Sequence, residues 1–398
     1  MVGRRNQKED AISEINWPSF RRRKIRKLIS FMKKEGLDGL LLNRIENVRY
    51  ATDFRPVVSM WFQNSYSAFV TSRGDVVQLT VAGDYRRAKH YMPWIEDMRI
   101  MHTAGRANEL ARLFSDYVRD GRIGYDTLSF EEHQALEKEC GHTELVSVGG
   151  RVAEERAVKL PEELVIMREA SKVTEEAIRA ALRFAKPGLR EYQVAAEAEH
   201  AARRLGAEGM SWSLATFSGP NTGLMLRHDS DRVVRTGEFL IMGYATIYRG
   251  YNTDITTTTI IGKPTNEQRK VYTATYDAFE AALKMVRAGV ETRELHIEAE
   301  RVIKEHGYEK YSFSHLQPIL HGVGLNVYEP PWSPEPGRSE PTTKLVAGHT
   351  LAIEPCLALY DNLKVGGCRI GESLAVTENG YELLTNGKPE THADLYLG

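Results

Sequence analysis

The sequence predicts an α+β protein of two domains. Three observations lead there. The chain has 398 residues, and domains run to roughly 100–200 residues each. Its first part alternates short apolar strand patterns with amphipathic helix patterns. Its second part carries a glycine–helix–glycine segment twice, at an offset of 101 residues. Two α/β halves related by a pseudo-twofold axis produce such a repeat, with a cleft between them.

In "SFRRRKIRKLISFMKKEG", Phe20, Ile25, Leu28 and Met32 recur at near-helical spacing, and Gly36 stands where a helix stops. The basic run Arg21 to Lys27 reads as the solvated face of that helix. "LDGLLLN" reads as a buried strand, and "SYSAFVTSRGDVVQLTV" as a hairpin turning at Arg73-Gly74-Asp75. "RIGYD" is a further strand and "SFEEHQALEKEC" a short helix. This first domain is placed at residues 1–157.

The second domain is placed at 158–398. Pro161 suits the first position of a helix, with Glu162 and Glu163 favourable in its first turn, and the helix should run to Phe184, before Pro187-Gly188. The repeat follows. "KPGLREYQVAAEAEHAARRLGAEG" sets Gly188 and Gly206 18 residues apart, and "RAGVETRELHIEAERVIKEHGYEK" does the same with Gly289 and Gly307.

Composition excludes several classes. With 53 Lys+Arg against 54 Asp+Glu the net charge is -1, which points away from a nucleic-acid partner. No apolar run approaches the roughly 18 residues of a membrane span. The three cysteines, Cys140, Cys356 and Cys368, are too widely spaced for a zinc knuckle or a disulfide framework. The opening "MVGRRNQKED" lacks a signal-peptide pattern, so the expected location is the cytoplasm.

Four stretches carry candidate chemistry. "LIMGYATIYRGYNTDITTTT" holds one acid, Asp254, among Tyr244, Tyr248 and Tyr251. "LQPILHGVGLNVYEPPW" sets His321 beside a Gly-x-Gly turn, with Tyr328 further on. "HTLAIEPCLALY" puts Glu354 among apolar residues, where a carboxylate is costly unless paired, protonated or metal-bound. "GGCRIGESLAVTENG" adds Arg369 and Glu372. An Asp, a His and a Glu on successive strands make a plausible cleft constellation.

At these residues the chain resembles the pita-bread family of aminopeptidase P, prolidase and creatinase. "GLDGLLLNRIENVRYATDF" is similar to the opening of the family's N-terminal domain. "SGPNTG", "GYNTDITTT", "HGVGLNVYEPP", "AGHTLAIEP" and "CRIGESLAVTENG" then follow in the family's order. The resemblance implies a pseudo-twofold catalytic domain, a homodimer, and in the peptidase members two divalent ions held by two Asp, one His and two Glu. Asp254, His321 and Glu354 stand at three of those positions. The acid expected eleven residues before Asp254 is Gly243, and the acid expected after Arg369-Ile370 is Gly371, with Glu372 one residue late. The histidine expected five residues after Asn221 is Leu226, with His228 two residues beyond, and Tyr328 stands where peptidases carry a second histidine.

Creatinase shares the fold and works without metal, so the resemblance and the lost acids together imply a metal-independent hydrolase of a C–N bond in a small polar or zwitterionic substrate. No cofactor is expected on that reading. If an ion binds (Mn, Fe, Zn or Co), Asp254, His321 and Glu354 hold it. His321, Glu354, His228, Asp254 and Glu372 are the candidate catalytic residues. Arg369 is a candidate for a substrate carboxylate, and Tyr244, Tyr248, Tyr251 and Tyr328 for lining a cationic end. The alternatives are a metal-dependent Xaa-Pro aminopeptidase or dipeptidase, a dimethylsulfoniopropionate-type lyase, and a non-catalytic binding protein of the same fold. The stretch Val57 to Phe62 is expected near a partner subunit's cleft.

Overall fold

A computed structural model describes residues 11–55, 66–102, 105–211, 215–225, 228–315, 317–333, 342–385 and 396–397. The stretch Val57 to Phe62 lies outside them. The chain divides into two compact units, Met1–Arg156 and Ala157–Gly398.

The first unit is a mixed sheet with helices. Its strands are β1 (Gly39–Leu42), β2 (Ser67–Thr71), β3 (Val76–Thr80), β4 (Asp97–Ile100), β5 (Arg122–Tyr125) and β6 (Glu144–Ser147), in the order β4-β3-β2-β1-β5-β6. Its helices are α1 (Trp17–Glu35), α2 (Ile45–Thr52), α3 (Ala82–Tyr91), α4 (Arg106–Tyr117), α5 (Phe130–Glu139) and α6 (Gly149–Ala157). Helix α1 ends at Gly36 in the left-handed region (φ 67°), where the lack of a Cβ removes the steric cost. The β2–β3 turn has Gly74 at φ 100°. Ser129 and Glu132 close a capping box on α5.

The basic run of α1 is not wholly solvated. Lys24 is 2% exposed, with its ammonium on Asp53, which Arg21 also holds at 2.7 Å. The Lys24 ammonium lies 4.8 Å from the Phe20 ring centre, a contact that spacing alone does not reveal.

In the second unit, helices α7 (Pro161–Phe184) and α8 (Glu191–Arg204) precede β7 (Gly209–Met210), β8 (Ala215–Ser218), α9 (Pro220–Leu224), β9 (Phe239–Tyr244), β10 (Thr246–Tyr248), β11 (Tyr251–Asn252) and β12 (Ile255–Ile261). Helices α10 (Asn266–Met285) and α11 (Thr292–Glu305) come next, ahead of β13 (Leu320–Gly322), β14 (Glu329–Trp332), β15 (Thr350–Ile353), β16 (Cys356–Ala358), β17 (Gly367–Arg369), β18 (Glu372–Val376), β19 (Tyr381–Leu383) and β20 (Tyr396–Leu397). The repeat is visible in the helices. α8 and α11 each have 14 residues, and their boundaries differ by 101 positions at both ends. All four flanking glycines, Gly188, Gly206, Gly289 and Gly307, have positive φ. Each half has its own core. One packs Ala177, Ala181, Val194 and Ala198 against Leu240 and Met242. The other packs Phe279, Leu283, Leu295 and Ile303 against Leu320, Leu351, Ile353 and Leu374.

Two sheets flank Asp254, His321 and Glu354. One runs β20-β12-β9-β8 and the other β14-β13-β15-β18-β19. They meet where Thr256 and Gly371 exchange backbone hydrogen bonds of 3.0 and 2.9 Å.

Candidate active site

Asp254 immediately precedes β12 and is fully buried. Its backbone is pinned from β18: the Asp254 N–H donates to Ser373 Oγ at 2.9 Å, and that hydroxyl donates to the Asp254 carbonyl at 2.8 Å. Neither carboxylate oxygen has a hydrogen-bond partner among the described residues. Leaving both oxygens buried and unsatisfied is costly, so the position calls for a cation or a proton.

His321 supplies one opposing group. Strand β13 pairs with β15 so that Leu320 faces Ile353 in the core, while His321 and Ala352 share the other face. That face also carries Ser373, which pairs with Ala352. His321 Nδ1 lies 3.1 Å from the Gly322 carbonyl. A carbonyl only accepts, so Nδ1 carries the proton of this bond. Nε2 is thereby aimed at the acids, 3.6 Å from Asp254 Oδ2 and 3.8 Å from Glu354 Oε2.

Glu354 follows β15, and its N–H is held by the Ile319 carbonyl at 2.6 Å. Thr256 donates to Oε1 at 2.7 Å, and the Arg369 guanidinium is paired with Oε2. The run of threonines is explained by alternation. Thr256 serves Glu354, while Thr258 donates to the Arg369 carbonyl at 2.6 Å and accepts its N–H at 3.0 Å. Sequence reasoning did not single out Thr256, Thr258 or Ser373, although the run Thr256 to Thr259 was a visible signal.

The electrostatics separate the two acids. Burial and the neighbouring Glu354 raise the Asp254 carboxyl to about 6, against the pull of His321 and Arg369. Burial also disfavours charge on Glu354, but Arg369, His321 and Thr256 outweigh it and hold the carboxyl at about 2. Burial opposes an imidazolium at His321, yet Asp254 and Glu354 outweigh it and raise the ring to about 9.

Asp254, His321 and Glu354 each offer a ligand atom, and the three atoms lie within 4.8 Å of one another. Separations of 3.6 and 3.8 Å are too long for good hydrogen bonds. Ligand atoms about 2.0–2.2 Å from a common ion would stand roughly 3–3.6 Å apart. The ligand atoms stand somewhat wider than that and would draw together on an ion; in its chemistry the set of two carboxylates and an imidazole, with unpartnered atoms on Asp254 and His321, fits a single divalent ion.

The other candidates are placed differently. Tyr328 does border the group, with its ring 4.1 Å from that of His321. Arg369 pairs with Glu354 through Nη2, and its buried Nε has no hydrogen-bond partner among the described residues. Glu372 pairs with Ile353 and shares the face of Leu374, so the one-residue slip turns it away from Asp254. His228 is exposed and is not a member of the group. Tyr244 is fully buried, bonded to Thr216 at 2.7 Å, in the core of the first half. Tyr251 donates to Glu163 at 3.0 Å. Tyr248 packs against the same core as Tyr244. Tyr244 and Tyr251 are thus held by buried partners, while Tyr248 is only half-buried. Leu226 lies outside the described residues.

Comparison with known proteins agrees with this geometry. The profile of Metallopeptidase family M24 matches residues 165–378, and that of the Creatinase/Prolidase N-terminal domain matches residues 24–158. A Xaa-Pro dipeptidase of Pyrococcus horikoshii is 28% identical over 92% of this chain and 98% of its own length. Among solved structures, the Xaa-Pro dipeptidase from Bacillus anthracis is 25% identical with a TM-score of 0.79, covering 92% of this chain and 98% of that one. The prolidase from Pyrococcus horikoshii is 25% identical with a TM-score of 0.78, covering 92% and 99%. The expectation of a metal-independent, creatinase-like site without a cofactor finds no support here, since the matching family is one of metallopeptidases and the buried donor atoms fit an ion. With more than half of its length matched, the chain belongs to Metallopeptidase family M24, as a hydrolase of C–N bonds that carries a creatinase/prolidase N-terminal domain.

Proposed function

We propose that this protein cleaves the C–N bond of a dipeptide-sized substrate, with one divalent cation held by Asp254, His321 and Glu354. The single observation that carries the proposal is the convergence of unpartnered, buried Asp254 and His321 atoms on Glu354. A bound cation would supply Lewis-acid polarisation of the scissile carbonyl.

The protein groups divide the remaining work. Arg369 keeps Glu354 permanently anionic, which suits holding a cation and makes Glu354 a poor proton acceptor. Asp254, raised to about 6, has the proton affinity of a general base near neutral pH. That raised value belongs to the ion-free protein, where Asp254 can take a proton; with a cation bound, Asp254 would serve as an anionic ligand instead. Ser373 and Gly322 fix Asp254 and His321 so that neither must reorganise during reaction. Tyr328 walls the site beside His321 and would orient the substrate.

The names of the similar proteins make a Xaa-Pro dipeptide the leading substrate. Incubation with a panel of Xaa-Pro and non-prolyl dipeptides, with products resolved by chromatography, tests this. Cleavage confined to Xaa-Pro members is expected, and no cleavage of any dipeptide would remove the peptidase reading. A homodimer is part of the same proposal, and light scattering that returns the monomer mass at micromolar concentration would remove it.

A further inference from the structure

We infer that Asn252 is a positioning residue, which sets the spacing between Asp254 in one half of this unit and His321 in the other. The inference rests on the proposed cation site and deepens it. Three observations carry it. First, Asn252 is buried, and both of its donors converge on one acceptor. Its backbone N–H reaches the Gly324 carbonyl at 2.6 Å, and its Nδ2 reaches the same oxygen at 2.9 Å. Its Oδ1 accepts the Ser211 hydroxyl, which fixes the orientation of the amide. Second, the turn that receives these bonds begins at His321 and is held at each step. The Val323 N–H donates to the Thr350 carbonyl at 3.2 Å, and the Val323 carbonyl accepts the Thr350 hydroxyl at 2.5 Å. Gly324 lies against the buried Lys159–Glu329 pair: a Cβ there would stand 2.2 Å from Glu329 Oε1 and 2.7 Å from Lys159 Cε. Third, Asn252 stands two residues before Asp254, and the residue between them is anchored too. Thr253 Oγ1 lies 2.9 Å from Thr174 Oγ1 on α7.

His321 feels this arrangement through its neighbour. Its Nε2 is aimed at the acids while Nδ1 keeps its proton on the Gly322 carbonyl at 3.1 Å. That carbonyl lies two residues before the one Asn252 holds. A single donor on the Gly324 oxygen would fix a distance; two donors restrict its direction as well. A shift of the turn would change the 3.6 Å separation of His321 Nε2 and Asp254 Oδ2. Groups that touch no ion but hold its ligands typically change metal affinity by about 10–100-fold.

The test compares the full-length protein with Asn252→Ala, which keeps the backbone bond to Gly324 and deletes the amide. Both are stripped with chelator and titrated with Mn2+ in a calorimeter, and the melting temperature of each is read in chelator. Asn252→Ala should bind Mn2+ about tenfold or more weakly than wild type. Thr265→Ala, destabilised at the cap of α10, should bind as wild type does, which separates positioning from general stability. A folded Asn252→Ala protein with lowered melting temperature and wild-type Mn2+ affinity would overturn the inference. A second readout needs no ion. In chelator-treated protein with labelled histidine, the His321 Nδ1–H resonance should be protected from exchange with water in wild type and should exchange faster in Asn252→Ala. If wild type binds no Mn2+, the cation reading falls, and these exchange rates decide the inference by themselves: faster exchange in the variant upholds it, and equal rates overturn it.

Discussion

Glu354 and Asp254 place oxygens within 4.8 Å of each other, yet one carboxyl is held at about 2 and the other raised to about 6. Arg369 makes the difference, being bonded to one acid only. Two consequences can be measured at this scale. Glu354→Gln keeps the shape but removes an anion from the cation site. We expect Mn2+ affinity and kcat each to fall by about 10²-fold or more, with the melting temperature of the ion-free protein changing independently. A fully active, stable variant would take Glu354 out of the reaction. The second concerns pH. His321 is raised from 6.5 to about 9, so its contribution to the stability of the ion-free protein is complete below pH 6.5 and is lost as pH rises through 9. Calorimetry in chelator should show the melting temperature falling over that window, by the equivalent of on the order of 3 kcal/mol. His321→Gln should lack the slope. Binding of Mn2+ must displace the same proton, so its affinity should rise over the same range. The residue types at 254, 321 and 354 were legible from their sequence setting. The Glu354–Arg369 pairing was not, because 15 residues and a change of strand separate the two.

Helix ends were the most legible elements, because capping and glycine chemistry are local. Pro161 opens α7 and Phe184 closes it, as the pattern predicts. Thr265 caps α10 and receives Gln268 in a capping box. Thr265→Ala should lower stability by ~1 kcal/mol in a denaturant titration, with the m-value unchanged. Strand facing was less legible. All six residues of β9 are buried, so no alternation tells which side chains face a cleft, and Tyr244 was placed on the wrong side for that reason. Glu372 is different: the strand period alone indicates that a one-residue slip faces away. Long-range pairs leave no local trace. Lys159 and Glu329 are 1% and 2% exposed and bond at 2.8 Å across 170 residues. Lys159→Met removes the paired cation from a buried carboxylate whose other oxygen keeps the Asn326 N–H at 3.2 Å, and should cost up to about 3–5 kcal/mol, seen as a shifted unfolding midpoint. A loss under 1 kcal/mol would show that Glu329 finds another partner.

At the scale of the whole molecule, the 101-residue repeat was readable because its glycines sit where the backbone needs positive φ. It places two helix pairs behind two sheets, and those sheets meet at the Thr256–Gly371 bridge beside the site. The glycines at 243 and 371 were readable where the resemblance expects acids, but the sequence does not show that Glu354 lies against Gly371. This arrangement is proposed to hydrolyse a C–N bond with the help of one held cation. The most direct measurement is hydrolysis of a Xaa-Pro dipeptide by the full-length protein after exhaustive chelation, and again with stoichiometric Mn2+ restored. The account predicts that chelation reduces turnover by at least about 10²-fold and that one equivalent of Mn2+ per chain restores it. Turnover unaffected by chelation would contradict it.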